Sequence, residues 1–194
     1  ADALQPPPSD PVVFTGSSTI RRWLTLTNDF RGLPVLNRGF GGSTMTDLLE
    51  RFDRVIGVYR PRAVVLYCGE NDVALGRDPV ETANDYIELL RRCRAVRPDM
   101  KILVLLMKPS PKRWHLWPQM MAANRRIEQI CAEAGVTALD LAPAMLGPDG
   151  QPRPELFVED RLHLSADGYR ILAERIRDWL RREGIGPAEA GPAS

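Results

Sequence analysis

Ala63-Val64-Val65-Leu66-Tyr67, running on into Cys68-Gly69-Glu70-Asn71-Asp72, is the stretch that decides the fold. An unbroken apolar run of this length reads as a strand covered on both faces, the signature of a parallel sheet rather than of a half-exposed antiparallel one. A parallel sheet needs crossover helices, so helical segments should flank the strand on either side.

They do. Val12-Val13-Phe14-Thr15 is a short strand ending at Gly16, and Thr19 to Phe30 reads as a helix with Ile20, Trp23, Leu24 and Leu26 inward. Pro34 to Asn37 is a second strand, followed by the glycine-rich turn Gly39 to Gly42 and a helix from Thr46 to Val58 with Thr46 or Asp47 as N-cap. Downstream, Pro79 to Val96 is helical with Pro79 in the first turn, and Lys101 to Met107 is the fourth strand. Gln119 to Ala134 is a helix closed by Gly135, Val136 to Leu141 is the fifth strand, and Ala166 to Arg182 is an amphipathic final helix. Strands alternating with helices imply an α/β sandwich, which binds its ligands beyond the C-terminal ends of the strands.

The chain has 194 residues, the size of one domain, and can bury roughly 70% of its unfolded surface. We expect one domain over residues 11–184, with flexible tails at 1–10 and 185–194. Lys plus Arg number 26 against 25 Asp plus Glu, a net charge of +1 that points neither to nucleic acid nor to an anionic membrane surface. No apolar stretch is long enough to span a bilayer. Three cysteines, Cys68, Cys93 and Cys131, are an odd number without a Cys-x-x-Cys pair, so they read as buried free thiols, not as a disulfide framework or a metal site. The compartment stays open: free thiols favour a reducing one, whereas the Pro-rich start suits a processed secreted chain.

The turns after the first three strands, Gly16-Ser17-Ser18-Thr19, Asn37 to Ser43 and Gly69-Glu70-Asn71-Asp72, should converge on one sheet edge with the loop Asp160-Arg161-Leu162-His163. Together they hold a hydroxyl, glycine amides, a carboxamide, a carboxylate and an imidazole, the parts of acyl transfer through a serine. His163 is one of only two histidines, and Asp160 three residues earlier can hold its tautomer. Ser18 opens a helix, where it can serve as nucleophile and offer its N–H to an oxyanion. Gly42 offers a second amide and Asn71 a side-chain donor. Each part has a plainer explanation when taken alone: an N-cap, a loop glycine, an Asx turn, a capping Asp beside a surface His.

In these four blocks the chain resembles the SGNH (GDSL-like) hydrolases. Gly16-Ser17-Ser18-Thr19 is similar to the Gly-Asp-Ser-Leu block, Gly42 to the glycine block, Gly69-Glu70-Asn71-Asp72 to Gly-x-Asn-Asp and Asp160 to His163 to Asp-x-x-His. Ser17 and Thr19 depart from the family's Asp and Leu, and Ser17 leaves a rival hydroxyl beside the nucleophile. Within the superfamily the likeness is to bacterial GDSL-like esterases and platelet-activating-factor acetylhydrolase-like members. The resemblance implies a flavodoxin-like three-layer α/β/α sandwich of strand order 2-1-3-4-5, with no metal and no cofactor. It also implies a triad of Ser18, Asp160 and His163 and an oxyanion hole of Ser18, Gly42 and Asn71. The expected substrate is a small-molecule ester with a short acyl group, acetyl favoured, on a carbohydrate or a small alcohol.

The Pro-rich stretch Lys108 to Pro118 follows the fourth strand, so Trp114 and Trp117 could stack on a sugar or flank an acyl group, or else be buried; Ser17 is a further candidate contact. Other readings stay open. A lysophospholipase or thioesterase would use the same parts. Gly41-Gly42-Ser43-Thr44-Met45 approaches the Gly-x-Ser-x-Gly of α/β-hydrolases but lacks the last glycine. A carbohydrate-binding protein on this scaffold would have no need of Asp160 and His163 together. A thiol enzyme would need Cys68, which is disfavoured because it lies inside the third strand.

Overall fold

Every residue of β3 (Ala63–Tyr67) is buried, and it lies at the centre of one parallel sheet. The computed structural model describes residues 6–187. With β1 (Val12–Gly16), β2 (Val35–Gly39), β4 (Lys101–Leu105) and β5 (Thr137–Leu139), the sheet runs in the order β2-β1-β3-β4-β5, all neighbours parallel. This is the flavodoxin-like order that the resemblance to the SGNH hydrolases implies.

Alternation along the strands divides the core in two. Val13, Val64, Leu66, Ile102 and Val104 face one layer, made by α3 (Met45–Glu50), α4 (Phe52–Val55), α5 (Glu70–Ala74), α6 (Pro79–Val96) and α7 (Trp117–Glu133). Val12, Phe14, Val65, Tyr67 and Leu103 face the other, made by α1 (Ser18–Arg21), α2 (Leu26–Asp29), α8 (Ala142–Met145) and α9 (Ala166–Arg182). The three cysteines are buried free thiols. No helix among the described residues is long and apolar enough to cross a membrane.

The helices α6 and α9 have the bounds read from sequence. Asp78 caps α6 through Val80 and Glu81 with Pro79 in the first turn, and Ser165 caps α9 through Gly168. The first helix departs from expectation. Instead of one helix over Thr19 to Phe30, the chain breaks between Arg22 and Thr25 into α1 and α2. Leu24, expected inward, is 92% exposed. The break turns Trp23 into the core, where its Nε1 donates to Asp29 Oδ2 at 2.7 Å and its ring packs on Phe14, Phe30 and Tyr169. A single helix would have carried Leu24 inward with Ile20; a buried tryptophan with a satisfied N–H outweighs one leucine.

The helix expected from Thr46 to Val58 likewise divides, and its cap is Thr44, whose side chain and that of Asp47 bond reciprocally to each other's backbone amides. Strand β4 stops at Leu105 rather than Met107 because the side chain of Asn124 takes over both backbone groups of Met107, each at 2.9 Å. Of the expected tails, residues 1–5 and 188–194 lie outside the described residues. Asp10 pairs with Arg97, and Ile185 is buried in the core.

Gly16 closes β1 at φ +122°, and a Cβ there would lie 1.9 Å from the Tyr67 carbonyl oxygen. Gly16→Ala should therefore destabilise the fold by about 3 kcal/mol or more, read as a lowered thermal midpoint. Gly150→Ala, also at positive φ (+73°) but with nothing within 4 Å of the added carbon, should cost less.

Candidate active site

Ser18 stands at the end of the central strands because the chain has no other exit there. The N–H of Ser17 donates to the Tyr67 carbonyl at 2.9 Å, extending the pairing of β1 with β3 by one residue, and α1 starts at the next. The carbonyl of Ile20 accepts from Asn37 Nδ2 at 2.6 Å, and that of Thr19 from the Tyr169 hydroxyl at 2.9 Å, so β2 and α9 hold the short helix in place. Ser17 itself is buried, 3% exposed, and the half-buried residue at the cleft is Ser18.

The Ser18 Oγ lies 2.9 Å from His163 Nε2, and His163 Nδ1 lies 2.6 Å from Asp160 Oδ2. An ionised carboxylate can only accept, so Nδ1 carries the proton and Nε2 of the neutral ring is left to accept from the serine hydroxyl. The other oxygen of Asp160 accepts the backbone amides of Leu162, at 2.9 Å, and His163, at 2.8 Å. Arg161 takes a left-handed φ of 59° to make this tight loop. Burial raises the Asp160 carboxyl, but the amide and side chain of His163 and the amide of Leu162 more than offset it and hold it well below the usual carboxylate range.

Asn71 is on the first turn of α5. Its Nδ2 donates to the Ser43 carbonyl at 3.0 Å, and its Oδ1 accepts from Arg113 Nη2 at 2.9 Å. With the oxygen held, the amide is fixed in one flip, and one of its two N–H bonds has no partner among the described residues. The same is true of the backbone N–H of Ser18 and of Gly42. Gly42 adopts φ +73° with nothing within 4 Å of where a Cβ would stand, so its backbone borders open space.

Ser18, Gly42, Asn71 and His163 line one cleft of about 520 Å³, together with Arg21, Arg22, Leu24, Gly41, Arg113 and Leu162. Asp160 lies behind His163. Trp114 and Trp117 do not line this cleft: they stack on each other with ring centroids 6.0 Å apart, and Trp117, the first residue of α7, is 8% exposed and packed into the core.

Sequence reasoning passed over what supports Asn71. Behind it lies a buried group: Glu70 and Lys108 are 4% and 1% exposed, with Lys108 Nζ 3.0 Å from Glu70 Oε2. Arg113 Nη1 is 3.3 Å from Glu70 Oε1, and the Tyr67 hydroxyl donates to the same carboxylate. Burial pushes the Glu70 carboxyl up, but the charges of Lys108 and Arg113 and the bonds from Tyr67 and Lys108 prevail and hold it below the usual range. The one signal in sequence is a lysine prolonging the apolar run Ile102 to Met107. Cys68, by contrast, has its thiol pushed far up by burial and by the charge of Asp72, which leaves it protonated and unreactive. Among the described residues no group of three His, Cys, Asp or Glu could hold a metal ion.

The sequence profile of the GDSL-like Lipase/Acylhydrolase family matches residues 9–171, and the chain belongs to that family of ester-hydrolysing enzymes. Solved structures agree on the fold. A GDSL-like lipase from Bacteroides thetaiotaomicron superposes with a TM-score of 0.82 at 22% identity, covering 94% of each chain. A lipase/acylhydrolase from Enterococcus faecalis gives 0.77 at 20% identity over 93% of this chain and 100% of that one. A variant of a Geobacillus acetyl-xylooligosaccharide esterase gives 0.70 at 20% identity over 97% and 99%. No functionally curated sequence matches the chain.

Two stability predictions follow from these contacts. Glu70→Gln leaves Lys108 and Arg113 buried without a counter-charge and should cost about 3–5 kcal/mol in urea denaturation. For Asp160, whose folded carboxyl titrates below its free value of 3.8, the stabilisation is present above that value and fades as pH falls through the lowered one. Asp160→Asn should thus lower the thermal midpoint most at neutral pH, with the gap to wild type narrowing by about pH 3.

Proposed function

We propose that the chain is a serine esterase that hydrolyses small carboxylic esters with short acyl groups through an acyl-enzyme on Ser18. The observation that carries this is the unbroken line Ser18 Oγ, His163, Asp160, at 2.9 and 2.6 Å, with three N–H groups at the same cleft that have no partner among the described residues.

In this reading the Ser18 oxygen attacks the ester carbonyl as its proton passes to His163 Nε2. Asp160 holds the imidazole in the accepting tautomer and stabilises the imidazolium once it forms. The carbonyl oxygen, now negative, is met by the N–H groups of Ser18 and Gly42 and by Asn71 Nδ2, the first and last held beforehand by the contacts described above. His163 then returns the proton to the leaving alcohol, and water repeats the sequence to free the acid and regenerate Ser18. Arg113, tied to Asn71 Oδ1, keeps the amide nitrogen toward the cleft and draws electron density from it, which strengthens it as a donor.

The short acyl group is supported by the lining of the cleft. Among the described residues Leu24 and Leu162 are its only aliphatic side chains, too little apolar surface for a fatty acyl chain at about 0.8 kcal/mol for each CH₂ buried. An acetyl group on a carbohydrate draws further support from the fold's likeness to an acetyl xylan esterase and the acetyl-xylooligosaccharide esterase, though no tryptophan platform lines the cleft to hold a sugar ring.

Hydrolysis of 4-nitrophenyl acetate, butyrate and octanoate tests the reading. The acetate should be the best substrate, Ser18→Ala should lose at least about 10³-fold in kcat, and Ser17→Ala should retain most of its activity. Loss of activity in Ser17→Ala with Ser18→Ala active would overturn the assignment; octanoate as best substrate would overturn the short-acyl part.

A further inference from the structure

The cleft carries far more positive charge than the chain as a whole. Over 194 residues the two signs nearly cancel, yet Arg21, Arg22 and Arg113 line the cleft and no Asp or Glu does so among the described residues. The carboxylates behind it do not restore balance. Glu70 is shared by Lys108 and Arg113, one negative charge between two positive ones. Asp160 is bound to His163 at 2.6 Å and reaches Arg22 only at 3.5 Å. The next acid along, Asp72, is turned to the Met45 amide and to Arg77, which it shares with Asp85.

Arg21 stands out among these groups. It is exposed, and no hydrogen bond or ion pair engages its guanidinium among the described residues. It is nonetheless placed: its Nη1 lies 2.9 Å from where a Cβ on Gly41 would stand, so the guanidinium rests over the backbone beside Gly42. Gly41, over which it rests, has no side chain, and the guanidinium lines the cleft alongside Gly41 and Gly42. An arginine held at the rim of a cleft with all its donors open is a ready partner for a planar or tetrahedral anion.

We propose that the substrate is an ester whose alcohol part carries an anion, a carboxylate or a phosphate, which seats on Arg21 and Arg22. The inference rests on the esterase reading above and names the substrate class of that site. The anion belongs on the alcohol because His163 must pass its proton to the leaving oxygen, so the alcohol departs along the His163 side. Arg22, joined to Asp160 behind that histidine, borders the same side, and Arg21, its neighbour in the chain, reaches the rim from over Gly41. Arg113 is already committed to Asn71 and Glu70, at the oxyanion side. Positive charge at this rim also raises the encounter rate of an anionic ester in a salt-dependent way.

Matched acetates test this: 4-acetoxybenzoate, its neutral methyl ester, and 4-acetoxyphenyl phosphate, each rate divided by that substrate's hydroxide-catalysed rate. In the wild type the normalised kcat/KM of the two anions should exceed that of the methyl ester by about tenfold, the scale of one charge-assisted hydrogen bond. The ratio should shrink as salt is raised. Arg21→Lys should keep most of the preference, and Arg21→Glu should abolish or reverse it, the neutral ester in each case reporting that the variant is folded. A preference for only one of the two anions would assign carboxylate or phosphate. A wild-type ratio near one, or a ratio that Arg21→Glu leaves in place, would overturn the inference while the esterase reading stands. If none of the acetates is hydrolysed and a fluorophosphonate fails to label Ser18, the esterase reading fails and takes this inference with it.

Discussion

The 2.9 Å hydrogen bond from the Ser17 amide to the Tyr67 carbonyl is where the sheet ends and the site begins. It fixes β1 against β3 in the register that sets Gly16 opposite Tyr67, and it is the last rung of that ladder. One residue further on, β1 gives way to Ser18; a few residues beyond Tyr67, β3 gives way to Asn71. Neighbouring strands lie about 4.8 Å apart, so this rung alone brings the serine and the carboxamide to one edge. Gly16 is required for it, because any side chain there would meet the Tyr67 carbonyl. The rest of the architecture then works to hold these two exits still: Asn37 and Tyr169 grip α1, and the Glu70 cluster grips α5.

How much of this the sequence reveals depends on how far apart the partners are. Asp160 and His163 are three residues apart on one loop, so their pairing is local and legible. The strand β3 and the helices α6 and α9 are legible because their apolar pattern and their caps agree. The break in the first helix is not, because Ile20, Trp23, Leu24 and Leu26 satisfy the helical period whether or not the helix continues. What decides between the two is a tertiary contact, the seat of Trp23 among Phe14, Phe30 and Tyr169. Likewise the bond from Arg113 to Asn71 joins residues 42 apart, and that from Lys108 to Glu70 residues 38 apart. No periodicity reports such pairs; only the topology that brings β3 beside β4 does.

The buried Glu70 cluster explains why the motif Gly69-Glu70-Asn71-Asp72 carries charge at a position inside the fold. A carboxylate placed there must be neutralised, and Lys108 and Arg113 come from the segment after β4, the adjacent strand. Buried ion pairs of this kind add little net stability, since desolvation offsets most of the attraction. What the cluster supplies is position. Arg113 is held by Glu70 at one nitrogen and holds Asn71 with another, so the Asn71 carboxamide, the donor proposed for the oxyanion, inherits the rigidity of the core. On the opposite side Asp72 accepts the first amide of α3, at 3.0 and 3.1 Å, and ties the loop bearing Gly42 to the same short helix.

The loop after β4 shows why conspicuous residue types are a poor guide to a binding surface. Trp114 and Trp117 invite a reading as a sugar platform, yet they stack on each other and pack against the core, where their apolar surface is taken from water. The same loop delivers the less conspicuous Arg113 to the site. Its backbone is pinned there by the bond from the Lys112 amide to the Arg161 carbonyl, at 3.0 Å, which joins it to the loop of Asp160 and His163. A loop anchored at both Asn71 and the loop of Asp160 and His163 is a spacer between the two ends of the cleft. Recognition is then left to groups that remain open at the rim, and in this cleft those are cationic.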